Sequence, residues 1–289
     1  MTNLPRIAAF LVLVFLSTSM LPGVTRIAES SGLVKWEVKL NYFHVSICVH
    51  GDYVYITGLS RVDAENSTVT IEKRLRESGS LVKMWSSELG VIDIRPAGVF
   101  ISVNIAMCVV TENFLVVMLP RTILVFDPDL NIQASFIFNN NSYLEVYPYW
   151  TGISSSGIIA SWIVLVEETM SGLVQKKFII QLFDFNLNLL AQYEYSDKWI
   201  YSAALLEDHV YLAVCTVAGK IPNIVSVTLN YFSECVVEKR RADNLELVGL
   251  VSLIPRTSSD VYLIPASVSL RINPVTSHLW GSCSWVEIK

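Results

Sequence analysis

The chain reads as all-β: a five-bladed β-propeller of four-stranded antiparallel blades, closed by pairing of its N- and C-terminal strands. Three observations lead there. Short apolar runs rich in Val, Ile, Tyr and Phe follow one another from residue 32 onward, a hairpin signal recurs about every fifty residues, and the two ends carry complementary pieces of one further repeat. No window of helical length keeps an i, i+3, i+4, i+7 apolar stripe, and short strands bounded by turn residues indicate a sandwich, barrel or propeller. Repetition selects the propeller.

The hairpin signal is a polar or small pair that opens an apolar strand. It stands at Gly51-Asp52-Tyr53, Glu112-Asn113-Phe114, Ser156-Gly157-Ile158, Asp208-His209-Val210 and Ser259-Asp260-Val261. A second signal lies downstream of it. Phe126-Asp127-Pro128-Asp129-Leu130-Asn131 is matched by Phe183-Asp184-Phe185-Asn186-Leu187-Asn188, 57 residues later. Asp and Asn suit such tight turns because their side chains bond their own backbone and tolerate left-handed conformations. Each repeat is therefore expected to hold four antiparallel strands, the first turn joining strands one and two and the second joining three and four. The rival count is six or seven blades, with an extra half-blade hidden in the long interval from 53 to 113.

The termini supply the closing argument. Trp285-Val286-Glu287-Ile288-Lys289 has the character of a third strand, and Glu29-Ser30-Ser31-Gly32-Leu33-Val34-Lys35-Trp36 matches Glu77-Ser78-Gly79-Ser80-Leu81-Val82-Lys83-Met84-Trp85, the turn and fourth strand of the first repeat. Pairing of Leu33–Leu40 with Ser284–Lys289 would complete the last blade and remove a free edge. The polar-pair hairpin, the Phe-Asp-x-Asp/Asn-Leu-Asn turn and the closing strand resemble the extracellular β-propeller repeat proteins, archaeal ones especially, loosely grouped with kelch and quinoprotein-type repeats. That resemblance covers residues 30–289 and implies blade geometry without specifying an activity.

Residues 1–23 fall outside this domain. Arg6, the apolar run Ile7–Leu16, Ser17-Thr18-Ser19 and then Pro22-Gly23 follow the order of a secretory signal peptide. Its ten-residue apolar core is short of the ~20 residues that cross a bilayer, so export is expected, with an uncleaved membrane anchor as the alternative. A formal net charge of -5 leaves no basic excess for nucleic acid, and 52% hydrophobic residues exclude a disordered chain. The expected location is secreted or cell-surface.

Cys48, Cys108, Cys215, Cys235 and Cys283 are odd in number and contain no C-x-x-C pair, which argues against a zinc site and against a dense disulfide framework. Cys48 and Cys108 sit in apolar runs, as small buried hydrophobes do. Asn66-Ser67-Thr68 and Asn140-Asn141-Ser142 have the form of glycosylation acceptors.

Ligands on a propeller are expected where connections lead into the innermost strands, on one face around the axis. Those segments are 41–44, 93–100, 143–150, 196–201 and 243–246. They supply Asp93, Arg95, Glu145, Tyr147, Tyr149, Trp150, Trp199, Tyr201 and Glu246 as candidate ligand-binding residues. Aromatic faces beside carboxylates and an arginine suit a glycan or peptide, whereas the competing reading has Tyr147, Tyr149 and Trp150 capping the core between blades. No nucleophile, P-loop, dinucleotide or H-E-x-x-H motif occurs, His44, His50, His209 and His278 lack ligand spacing, and no metal or cofactor is implied. Asp127 with Asp129 recurs as Asp184 with Asn186, which marks a structural turn rather than a calcium loop or a glycosidase pair. Lys239-Arg240-Arg241 reads as a solvated turn. The sequence thus points to a non-catalytic extracellular binding or cell-surface scaffold module with an unknown protein or glycan partner. The alternative is a secreted carbohydrate-active hydrolase or lyase, on which Asp93, Glu145 and Glu246 would converge.

Overall fold

A computed structural model describes residues 24–28, 34–40, 43–61, 67–88, 106–139, 143, 145–167, 174–222, 228–253, 262–272 and 279–288. Every regular element among them is a β-strand. The export signal, Asp93, Arg95, Asn66 and Asn140 lie outside the described residues. The chain divides into two compact units, Met1–Ile92 and Asp93–Lys289.

In the first unit, β1 (Val24–Ala28) pairs with β2 (Val34–Lys39), and β3 (Phe43–His50), β4 (Tyr53–Arg61), β5 (Ser67–Leu75) and β6 (Leu81–Glu88) form a four-stranded antiparallel meander. The first expected hairpin is present, its tip at Gly51 with φ 56°. β2 packs on the meander through Trp36 and Val38, and Leu40 just after it joins them, against Val54 and Ile56. Gly79, at φ +70° in the β5–β6 turn, cannot carry a side chain, because a Cβ there would come within 2.6 Å of the Trp36 ring. The indole Nε1 donates to the Arg76 carbonyl (2.9 Å), fixing the ring over that turn.

The second unit repeats the meander. β7 (Met107–Val110), β8 (Leu115–Leu119), β9 (Thr122–Phe126) and β10 (Ile132–Ile137) form one, and β11 (Glu145–Ser154), β12 (Gly157–Glu167), β13 (Val174–Phe183) and β14 (Leu189–Tyr195) form the next. A third runs through β15 (Lys198–Leu206), β16 (His209–Pro222), β17 (Thr228–Arg241) and β18 (Leu247–Ser252). β19 (Tyr262–Ile272) and β20 (Leu279–Ile288) form a hairpin that joins the same sheet where Leu263 meets Phe232 of β17. Neighbouring meanders pack face to face. Val116, Met118, Ile123 and Val125 of the first meet Ile158, Ala160, Trp162 and Ile179 of the second. Ile159, Ile163, Phe178 and Ile180 meet Val210, Leu212 and Val214 of the third. Stacked four-stranded antiparallel sheets, with both faces of their middle strands buried, are the construction of propeller blades.

The expected D-turns form as the residues require. Asp127 Oδ1 accepts the backbone N–H groups of Asp129 and Asn131, both at 2.9 Å, and Leu130 takes φ 58°. Asp184 does the same for Asn186 and Asn188, with Leu187 at φ 63°. The structural reading of these acids is the observed one. Leu245, at φ 61° in the β17–β18 turn, and Gly79 hold the equivalent left-handed position with one more residue in each turn.

The expected closure differs. β2 is laddered to β1, and β20 to β19, so pairing of residues 33–40 with 284–289 is not among the described ladders. The partner that β2 takes lies only a short connection away in sequence, where loop closure costs least. The fifth hairpin turn lies outside the described residues, and β18, the strand before it, pairs back onto β17. One pairing went unread in the sequence: Cys215 and Cys235, directly opposed across β16 and β17, form a disulfide, while Cys48 and Cys108 lie outside it and are only half-buried.

Candidate functional site

Six of the nine residues singled out in sequence fall on β11 and β15, the edge strands that open two successive meanders. They lie within these strands rather than on the loops leading into them. Each strand carries a bulge at the same place. The β11–β12 register skips Tyr149 between Pro148 and Trp150, and the β15–β16 register skips Tyr201 between Ile200 and Ser202. A bulge re-aims the extra side chain, and here both tyrosines turn into packing. Tyr149 meets the Phe178 ring edge-on at 5.2 Å, and Tyr201 meets Phe232 at 5.6 Å and Trp199 at 6.2 Å. Burial pushes the phenol of Tyr149 far above its ordinary range; Tyr201 is pushed up by burial first and by the nearness of Tyr149 second. Trp150 folds back over Gly152, where a Cβ would lie 2.6 Å from the indole, and comes against Leu205 of β15. Tyr149, Trp150, Trp199 and Tyr201 therefore all pack against buried clusters, the arrangement that the capping reading had for Tyr149 and Trp150.

Glu145, half-buried at the start of β11, is different. Its Oε2 accepts the hydroxyl of Tyr147 at 2.5 Å, which orients the carboxylate on an inner strand. Glu246 does not join it. It lies exposed at the end of the β17–β18 turn, where its carbonyl accepts the Arg241 N–H and its own N–H is donated to Asn244 Oδ1. The stretch 243–246 is a strand-three to strand-four turn, not a lead into an inner strand, because β17 extends to Arg241 and β18 begins at Leu247. Among the described residues no cluster of three His, Cys, Asp or Glu side chains has the arrangement of a metal site.

Two features escaped the sequence reading, and they occupy equivalent places. The first lies between β14 and β17. Glu238, 2% exposed, accepts Tyr195 Oη (2.5 Å), Arg240 Nε (2.9 Å) and Arg240 Nη2 (2.8 Å), and meets Lys198 Nζ at 3.4 Å. Arg240 also donates to the Leu245 carbonyl (2.8 Å) and lies 3.9 Å from the Tyr193 ring centre. Burial first, and the Glu238 charge second, drive the Tyr195 phenol upward. The expected solvated turn thus holds only for Arg241, which pairs with Asp243 at the surface. Arg240 is buried because strand alternation sends it to the opposite face of β17. The signal was present in sequence as Glu72-Lys73-Arg74, whose arginine makes the same pair of bonds, to Glu72 Oε2 and to the Gly79 carbonyl.

The second feature is a cleft of about 290 Å3 between β10 and β13–β14, lined by Phe136, Ile137, Phe138, Asn139, Tyr143, Gln181 and Gln192. The 57-residue repeat aligns Phe136 with Tyr193 and Phe138 with Tyr195. Counting back from the D-turns aligns Gln181 with Glu238 and Phe183 with Arg240. The contacts obey the alignment: Phe136 packs on Phe183 (4.7 Å) where Tyr193 packs on Arg240. With no hydroxyl on Phe138 and no carboxylate at Gln181, the space between them stays open.

No protein-family model and no curated protein matches this chain. Solved structures with some likeness include an exo-β-1,3-galactanase of Clostridium thermocellum, 13% identical over 92% of this chain and 62% of that one, with a TM-score of 0.38. An α-L-arabinofuranosidase of Lactobacillus brevis is 9% identical over 84% and 83%, also at 0.38. An exo-β-1,3-galactanase of Phanerochaete chrysosporium is 11% identical over 92% and 63%, at 0.33. The chain spans less than two thirds of either galactanase. None of the three is named as a kelch or quinoprotein protein, so that grouping gains no support. At these scores no activity transfers to this chain.

Proposed function

We propose that this chain is an exported, carbohydrate-directed protein, organised as a five-repeat propeller over residues 30–289, that hydrolyses glycosidic bonds with Glu145 as one of its two carboxylates. The observation that carries this reading is the setting of Glu145: it is the one candidate carboxylate that the described residues place on an inner strand, and a phenol orients it. Glycoside hydrolysis needs a second carboxyl group ~5 Å away for retention, or roughly 6.5–9.5 Å for inversion. Asp93 is the proposed partner, since Glu246 belongs to an outer turn. The Cys215–Cys235 disulfide supports export, because such bonds persist in oxidising compartments. Four meanders and the β19–β20 hairpin support the count of five repeats.

Non-catalytic glycan binding is the second reading. It is favoured by the place of Glu246 in an outer turn, which leaves Glu145 the one candidate carboxylate on an inner strand among the described residues; the inward-packed aromatic candidates favour neither reading. Assaying the protein against neutral polysaccharides and nitrophenyl glycosides separates the two. Hydrolysis that falls about 100-fold or more in Glu145→Gln and in Asp93→Asn supports catalysis, the size expected when an acid–base group is lost. Glycan binding without cleavage leaves the binding module standing, and neither binding nor cleavage removes carbohydrate from the reading.

A further inference from the structure

We infer that the cleft between β10 and β13–β14 is a binding site for one neutral, hydroxyl-rich sugar ring, separate from Glu145. Its ligand class rests on the carbohydrate reading above; its location does not, and it requires no catalysis.

The chemistry of the walls selects the ligand. Phe136, Phe138 and Tyr143 present aromatic surface, Phe138 being held edge-on against Trp162 (5.6 Å) and tilted against Tyr143 (5.8 Å). The floor is a directed relay of carboxamides. Trp162 Nε1 donates to Gln181 Oε1 (2.9 Å), and Gln181 Nε2 donates to Gln192 Oε1 (2.8 Å). Because the indole can only donate, the direction of the relay is fixed. Gln181 is 3% exposed with both ends of its amide engaged, and Gln192 is left with two Nε2 hydrogens that have no partner among the described residues. Asn139 adds a second exposed carboxamide at the lip. Among the described residues no ionised side chain lines the space. A charged ligand would lose its hydration without a counter-charge, and a wholly apolar one would leave the carboxamides unpaired. A ring with an apolar face and peripheral hydroxyls satisfies both walls, and the cleft, slightly below the range of drug-sized pockets, has room for one.

The lip is built and held. Arg121, a non-glycine residue at φ 57°, donates its guanidinium to the Tyr143 carbonyl (2.5 Å) and to the Phe138 carbonyl (3.4 Å), and its own carbonyl accepts the Phe138 N–H (2.6 Å). Strain of this kind persists only where the surroundings over-determine it. Arg121 is a positioning residue for both aromatic walls. Glu194, held by Lys177 at 2.8 Å, stands near Tyr143, whose phenol is pushed up by burial first and by the Glu194 charge second. The next junction supplies the control, since there the same position is closed by Tyr195, Glu238 and Arg240.

The relay also supplies a site-specific reporter. We would titrate the full-length mature protein with lactose, cellobiose, maltose and xylobiose, with galacturonic acid as the charged comparison, while following the Trp162 indole N–H by NMR, assigned with Trp162→Phe. The expected result is a saturable shift of that resonance by at least one neutral disaccharide, at least tenfold weaker binding in Gln192→Ala, and loss of binding in Gln192→Trp, which fills the cleft. Gln192→Ala takes the acceptor from the buried Gln181 amide and should lower the melting temperature slightly, so each variant is verified as folded at the titration temperature before its affinity is read. Sugar binding that leaves the Trp162 resonance unmoved, or that survives both variants, overturns the assignment and places the sugar elsewhere. Failure of all four neutral sugars overturns it as well. Glu145→Gln distinguishes the two proposals: it should abolish cleavage while leaving the Trp162 shift intact.

Discussion

The junction between β7–β10 and β11–β14 and the junction between β11–β14 and β15–β18 are built alike, and four of the positions at which they differ decide the chemistry between their sheets. Phe136, Phe138, Gln181 and Phe183 at the first become Tyr193, Tyr195, Glu238 and Arg240 at the second. Two phenol hydroxyls and one full charge pair separate an open cleft from a sealed one. Burying an ion pair seldom adds net stability over apolar packing of similar volume, so the sealed junction gains chiefly a unique fit, every polar atom of Glu238 and Arg240 being aimed at a named partner. The open junction keeps its aromatic packing and spends its polar groups on a relay that reaches the surface.

The largest difference should appear on breaking the charge pair. Arg240→Ala leaves Glu238 buried beside a phenol, with only the more distant Lys198 as a counter-charge, and should cost ~3–5 kcal/mol in chemical denaturation. Gln181→Ala at the open junction should cost less, because the neighbouring Gln192 can reach water. Reducing the Cys215–Cys235 bond, which spans 20 residues, should remove ~3 kcal/mol of stability, read as a fall in denaturation midpoint with dithiothreitol.

Exchanging the aromatic pair sharpens the contrast further. Tyr195→Phe should lose ~1–3 kcal/mol, since a buried acceptor loses a donor, whereas Phe138→Tyr should change stability by under ~1 kcal/mol because its hydroxyl can reach carboxamides in the cleft. Tyr195 also carries a pH signature. Its folded pKa is raised, so its contribution is complete below the unfolded value of about 10 and is lost as pH rises beyond it. Wild type should therefore lose stability more steeply above pH ~10 than Tyr195→Phe does, with Tyr149 and Tyr201 contributing the part common to both. The smallest effect belongs to the D-turn. Hydrogen bonds from Asn188 hold the Asp184 carboxyl below its usual range, so a slight loss in melting temperature for Asp184→Asn at neutral pH should shrink as pH falls below ~4 and disappear once the folded carboxyl is protonated.

Much of this pattern was legible in the sequence, and the reason is local. Hairpin tips and D-turns depend on a few adjacent residues, so Gly51, Asp127 and Asp184 announce them without help from the rest of the chain. The inner-strand bulges at Tyr149 and Tyr201 are less visible, since a bulge is a mismatch in register between two strands and neither strand alone records it. Arg240 was misread for a similar reason: three consecutive basic residues suggest a turn, but strand alternation separates their faces and buries the middle one. The expected closure is not among the described ladders, for a different cause. The complementary ends of the chain were real sequence similarities, yet a nearer strand, Val24–Ala28, takes the edge of β2. The cleft was hidden because it exists by subtraction. Its residues matter for the hydroxyls and the charges they lack relative to the next repeat, and only the alignment of Phe138 with Tyr195 and Gln181 with Glu238 exposes the gap.

The decisive measurement is a calorimetric titration of wild type and Gln192→Trp with the neutral disaccharide that shifts Trp162, run beside the doubly exchanged variant Phe138→Tyr/Gln181→Glu. If the open junction is a ligand site, wild type binds with one-to-one stoichiometry, the filled variant does not bind, and the exchanged variant, remade toward its sealed neighbour, loses at least tenfold in affinity. Equal affinity in all three proteins would contradict it and return the cleft to a packing defect between two sheets.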